Sequence, residues 1–152
     1  MTDNDRVAIS ALVFAYAERL DAGDLTGVAD LFADASLRTQ GQPGALHGRD
    51  AVHALYAAMV LLYDGRPCTR HVTTNVVIDV DTSAGTASAR SYFTVLQARP
   101  ELPLQPIIAG RYQDEFVRRD GVWSFAERVI SVELVGDVRF HLKPEIVARL
   151  GY

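Results

Sequence analysis

The chain has 152 residues, 49% of them hydrophobic and 22% charged, which is room for one domain over residues 1–152 whose core needs no metal or disulfide. A formal net charge of −4 argues against nucleic acid and anionic membrane as partners, since both call for a basic field. No apolar run approaches the ~20 residues that span a bilayer, the start Thr2-Asp3-Asn4-Asp5 is acidic, and the single cysteine, Cys68, has no internal partner. A soluble, cytoplasmic protein is expected. In chain order, Asp3 and Asn4 offer N-caps to a first helix with Ile9, Leu12, Val13, Tyr16 and Leu20 at helical spacing, stopped at Gly23. Asp24 caps a short second helix with Leu25, Val28, Leu31 and Phe32 on its apolar face. After an extended piece at Leu37 and a break at Gly41, Pro43 and Gly44, a third helix is expected from Asp50 to Tyr63.

The period then changes. From Arg70 to Val80 the residues alternate, with Val72, Val76, Ile78 and Val80 on one side and His71, Thr73, Asn75 and Asp79 on the other. Further β-rich runs cover about Thr86–Ala98, Leu104–Arg118 and Val122–Val135. Pro100, Pro103 and Pro106 mark one loop, and Asp120-Gly121 marks a tight hairpin. Pro144 opens a last turn of helix. Helices first and long strands second make an α+β layout, a strongly curved sheet with helices across one face and a pocket between them.

Several stretches carry a resemblance. Tyr16-Ala17-Glu18-Arg19-Leu20-Asp21-Ala22-Gly23-Asp24-Leu25, Gly48-Arg49-Asp50-Ala51-Val52, Arg70-His71-Val72-Thr73-Thr74-Asn75 and Gly110-Arg111-Tyr112-Gln113-Asp114-Glu115-Phe116 are joined by Asp120-Gly121-Val122-Trp123 and Ala126-Glu127-Arg128. Together they resemble the SnoaL-like group of the nuclear transport factor 2-like superfamily over about residues 5–142. The resemblance implies a cystatin-like cone: a curved, mixed but mostly antiparallel sheet wrapped on three N-terminal helices around an apolar cavity. Relatives of this kind include scytalone dehydratase, ketosteroid isomerase, polyketide cyclases, a bile-acid dehydratase and hexachlorocyclohexane dehydrochlorinase.

In the dehydratase and dehydrochlorinase relatives a histidine on the first long strand is the base, and an aspartate ending the first helix orients it. The matching residues are His71 and Asp21. A neutral imidazole accepts a proton near physiological pH, and a carboxylate behind it fixes the tautomer. Asp21 sits where a negative charge opposes the helix dipole, so local helix physics does not call for it; the plainer readings are a rim histidine and a turn aspartate. Tyr16 is either a cavity donor or a core aromatic. Arg128 lies among inward apolar residues, with Ala126, Ile130, Val132 and Leu134 on its side. It either steadies a departing anion, as the resemblance implies, or pairs with Asp114 or Glu127. Leu20, Tyr56, Met59, Phe93, Tyr112 and Ile130 are expected to line the cavity. His47, His53 and His141 match no catalytic position.

The expected activity is that of a lyase or isomerase without cofactor or metal, acting on an apolar cyclic, polyketide- or steroid-like substrate. A binding protein that uses the same cavity, or an assembly domain like the small subunit of ring-hydroxylating dioxygenases, are the alternatives. The latter predicts a cavity filled by side chains. Trp123, Phe125 and Val129 are placed on the outer sheet face, where they suggest a homodimer.

Overall fold

In the computed structural model, which describes residues 3–151, α1 (Asp3–Asp21) turns Ile9, Val13, Tyr16 and Leu20 inward, all of them buried. The helix already includes Asp3 and Asn4, so the residue before it lies outside the described residues. Gly23 ends it with φ of 76°, and a Cβ there would stand 1.8 Å from the Gly65 carbonyl oxygen. Only glycine fits both demands. Asp24 then caps α2 (Leu25–Asp30), its carboxylate accepting from the Gly27 amide at 2.8 Å.

Strands β1 (Ser36–Thr39) and β2 (Leu46–His47) lead into α3 (Gly48–Met59), and β3 (Thr69–Asp81), β4 (Thr86–Arg99), β5 (Leu102–Arg119) and β6 (Val122–Val135) follow. The sheet runs β2-β1-β6-β5-β4-β3. Every pairing is antiparallel except β1 with β6. Helix α4 (Pro144–Leu150) closes the described chain. The curved, mixed α+β sheet with helices against it is the expected layout.

Several further expectations change, each for a physical reason. Helix α3 stops at Met59 rather than Tyr63, because Val60 leaves for extended backbone and bridges Leu142. Asp64 and Gly65, both at positive φ, then turn Tyr63 back onto Arg66. The prolines do not mark one long loop either. Arg99 pairs with Leu102, so Pro103 and Pro106 stand in β5, on a stretch that precedes its pairing with β6 at Ile108. There the proline lacks only a bond that an edge would not make.

The other changes are bulges. Asn75, at φ of 55°, sits in a register shift between Thr74 and Val77. The extra residue flips the alternation, so His71 and Thr73 share the inner face with Val76, Ile78 and Val80, while Val72 is turned out. On β6, Glu127 pairs with Glu115 and Phe125 with Phe116, which leaves Ala126 as the spare residue. Trp123 and Phe125 therefore point inward with Arg128 and are buried in the core. The expected outer-face dimer loses two of the three residues that support it. A further shift between Ala109 and Gly110 turns Leu134 outward, where it is 70% exposed.

The cone is filled from one end. Phe125 lies between Phe32 and Phe116, its ring centre 5.1 and 4.8 Å from theirs, and Trp123 donates its indole N–H to Asp5 at 2.9 Å. Each such buried side chain contributes about 1.5–3 kcal/mol. Toward the other end the packing stops at Tyr16, Tyr56, Phe93 and Tyr112, and an open cavity begins.

Candidate functional site

Asp21 ends α1 beside the start of β3, and three donors converge on its carboxylate. The Thr69 hydroxyl donates to Oδ1 at 2.8 Å, the His71 amide donates to Oδ2 at 2.8 Å, and the His71 ring stands with Nδ1 2.5 Å from Oδ1. Burial pushes the Asp21 carboxyl up, but the ring, amide and hydroxyl bonds outweigh it and hold the group below the usual carboxylate range. An ionised Asp21 accepts, so Nδ1 carries the hydrogen and Nε2 is left with its lone pair. The opposition of charge and helix dipole, about 0.3–1 kcal/mol, is offset by these bonds.

The His71 ring lines a cavity of about 430 Å³. Its walls include all six residues expected there: Leu20, Tyr56, Met59, Phe93, Tyr112 and Ile130. Tyr16 lines it as well, its hydroxyl in a short hydrogen bond with that of Tyr56. Burial raises the Tyr16, Tyr56 and Tyr112 hydroxyls above the ordinary phenol range despite the Arg128 charge, so all three keep their protons and remain donors. The cavity floor is thus a set of neutral hydroxyls on aromatic rings.

Arg128 is not in that wall. It is fully buried, and it grips Asp114 with two parallel bonds, Nε to Oδ1 at 2.7 Å and Nη2 to Oδ2 at 2.8 Å. Its guanidinium carbon lies 3.9 Å from the Tyr112 ring centre and 4.4 Å from that of Tyr16, behind the residues that face the cavity. Burial works against the charge, but Asp114 outweighs it and the guanidinium stays ionised. Of the two readings of Arg128, the structure shows the pair with Asp114 and no place in the cavity wall for contact with a departing anion; the guanidinium lies against the tyrosine rings from behind.

Among the cavity residues that escape sequence reasoning is a second histidine. His141, outside any element and just before α4, lines the cavity and is 4% exposed. It follows no motif, and its place depends on the tail folding back over α3, which no local pattern announces. Among the described residues no group of three His, Cys, Asp or Glu side chains could hold a metal, and no helix is long and apolar enough to cross a membrane.

The family model for the SnoaL-like domain matches residues 2–129. The chain belongs to the SnoaL-like domain family. No curated protein matches it. Among solved structures, an NTF2-like protein with a cystatin-like fold from Novosphingobium aromaticivorans is 21% identical, at a TM-score of 0.70 over 85% of this chain and 82% of that one. A protein from the same species, named only provisionally as a scytalone dehydratase, is 26% identical, with TM-score 0.69 over 90% and 91%. LinA is 24% identical, with TM-score 0.69 over 93% and 95%. The chain thus has the cystatin-like, NTF2-like fold.

Proposed function

We propose that this SnoaL-like protein is a lyase or isomerase that needs no cofactor and removes a proton from an apolar cyclic substrate, with His71 as the base. The observation that carries the reading is a single one: the His71 ring lines an apolar cavity while its Nδ1 is held by an ionised Asp21. Nε2 takes the proton from a carbon next to a carbonyl, and the C–H bonding pair moves into an enolate. The imidazolium, steadied by Asp21, then returns the proton to another carbon in an isomerisation. In an elimination it gives the proton to a leaving hydroxyl, which departs as water with its bonding pair. Asp21 does not take a proton at any stage; it fixes the tautomer and lowers the cost of the positive ring. In the Tyr16–Tyr56 pair one hydroxyl donates to the other, so the pair offers one free O–H as a fixed donor where negative charge grows, and Arg128, lying against the Tyr16 and Tyr112 rings, braces that wall.

Likeness to LinA and to a dehydratase-named protein favours this chemistry, and an open cavity disfavours a purely structural subunit. The test is deuterium exchange at the carbon beside the carbonyl of 2-tetralone, followed by proton NMR. His71→Ala is expected to lose about 10²–10⁴-fold in rate. Asp21→Asn should lose a comparable factor, and the double variant should be hardly worse than either, because the two act as one unit. A wild-type protein that leaves exchange at the buffer rate, or a His71→Ala protein that keeps it, overturns the assignment.

A further inference from the structure

His141 is held as rigidly as His71, yet by backbone alone. Its carbonyl accepts from the Leu61 amide at 2.8 Å, its own amide donates to the Val138 carbonyl at 3.0 Å, and the Lys143 amide donates to the Met59 carbonyl at 2.9 Å. The neighbouring Phe140 carbonyl accepts from both the Tyr63 hydroxyl and the Gln97 side-chain amide, at 2.7 and 2.9 Å. All of this fixes where the ring stands, and none of it satisfies the ring. Its Nδ1 is sealed from solvent without a hydrogen bond, and the ring has no hydrogen-bond partner among the described residues. A buried N–H left alone is rarer in proteins than a buried lone pair left alone. The favoured tautomer therefore leaves the lone pair on Nδ1 and carries the hydrogen on Nε2, in a ring that lines the cavity.

The two cavity histidines differ in one respect that decides their chemistry. His71 has a carboxylate behind it, and His141 has none. Burial and the nearby His71 together push His141 down to about 4, with Asp21 pulling weakly the other way, so the ring is neutral at physiological pH. A neutral imidazole with a free N–H is a donor that does not give up its proton.

We propose that His141 is a substrate contact, its Nε2–H donating to an oxygen on the carbon next to the one that His71 deprotonates. This rests on the proton-abstraction reading for which oxygen is meant, and it narrows the substrate class to cyclic ketones or their enol tautomers. As the bonding pair moves onto that oxygen the hydrogen bond strengthens, while the proton stays on His141 and nothing is transferred to it.

The experiment is a binding comparison that needs no turnover. Equilibrium dialysis gives the affinities of 2-tetralone and of tetralin, the same skeleton without the oxygen, for wild type, His141→Phe, His141→Gln and His71→Ala. The ratio of ketone to hydrocarbon affinity should fall about 3–10-fold in His141→Phe, the worth of one neutral hydrogen bond, with tetralin bound as before. His141→Gln keeps an N–H donor and should keep most of the ratio; His71→Ala should keep all of it. A ratio unchanged in His141→Phe overturns the proposal. So does an equal loss of both compounds in the Phe and Gln variants, since a bond to oxygen cannot account for the hydrocarbon. If the ratio falls as expected but wild type catalyses no exchange, the base assignment fails and the His141 contact stands.

Discussion

Two carboxylates meet a nitrogen base inside this cone, and their surroundings give them opposite uses. Asp114 and Arg128 are sealed completely and joined by two parallel bonds, with Tyr16 and Tyr112 lying across the guanidinium. Asp21 and His71 stand at the edge of the cavity, where their side chains retain 14% and 6% exposure. Arginine cannot release its proton, so the first pair does no acid–base work and serves as a brace. Histidine can, and its second nitrogen is free, so the second pair is fit for chemistry. Similar components thus become scaffold or reagent according to which base is used and whether one of its atoms is left over.

The sharpest way to break that contrast is to remove the arginine. Arg128→Met leaves a fully buried Asp114 without its counter-charge, and the expected loss is about 3–5 kcal/mol of stability, read by urea unfolding. Replacing both residues, Arg128→Met with Asp114→Leu, should recover most of the loss, because the cost lies in the unpaired charge rather than in the missing attraction. A single variant as stable as wild type would show that the pair is not a brace. By contrast, His71→Ala removes one bond to the Asp21 charge, worth about 1.5–3 kcal/mol, and should cost the chemistry nearly everything.

A smaller effect separates the pairs by pH. Asp21 has its folded-state value held below the unfolded one, which is ~3.9 for a free aspartate. Its ionised form is therefore the one that folding favours. The resulting stability is fully present above the unfolded value and is lost as pH falls through the folded one. Stability followed by urea unfolding from pH 6 down to pH 2 should fall less steeply for Asp21→Asn than for wild type. Parallel acid limbs in the two proteins would mean that the three donors around Asp21 do not favour its charge.

How much of this was legible beforehand differs between the helices and the sheet. The stripe of α1, its stop at Gly23 and the Asp24 cap follow from spacing and turn chemistry, because each is decided within a few residues of chain. So did the His71–Asp21 pairing emerge as a candidate, through a charge set against a helix dipole and a familiar pattern. Strand faces do not follow from alternation wherever a bulge intervenes, since one extra residue at Asn75 or Ala126 reverses everything beyond it. Whether a bulge forms depends on the partner strand, and that is not local information. Arg128 carried two readings, and only the register of β5 against β6, which sets Asp114 opposite it, decides between them. His141 was invisible for the same reason: its cavity position is made by bonds from α3's trailing segment and from Gln97 on β4, far along the chain.

The smallest expected effect concerns how well the reagent pair is held. Thr69 is buried and gives Asp21 one of its three hydrogen bonds, and Thr69→Val removes that hydroxyl at nearly constant volume. A bond to a charged group is worth about 1.5–3 kcal/mol, and the low end applies because the His71 amide and ring still grip the carboxylate. Unfolding should therefore show a loss of about 1.5 kcal/mol, well short of that for Arg128→Met. The functional consequence is the more telling one. With Thr69 gone, less of the Asp21 charge is satisfied by fixed donors, so it remains available to steady the imidazolium, yet the carboxylate is free to swing about the Cβ–Cγ bond. If orientation matters most, 2-tetralone exchange falls while ketone binding is unchanged; if charge matters most, exchange holds or rises. The fall is the expected result, because the bond from Nδ1 fixes where Nε2 points, and a base that points away from its carbon is no base at all. An exchange rate at or above wild type would shift the role of Asp21 from positioning the ring to stabilising its charge.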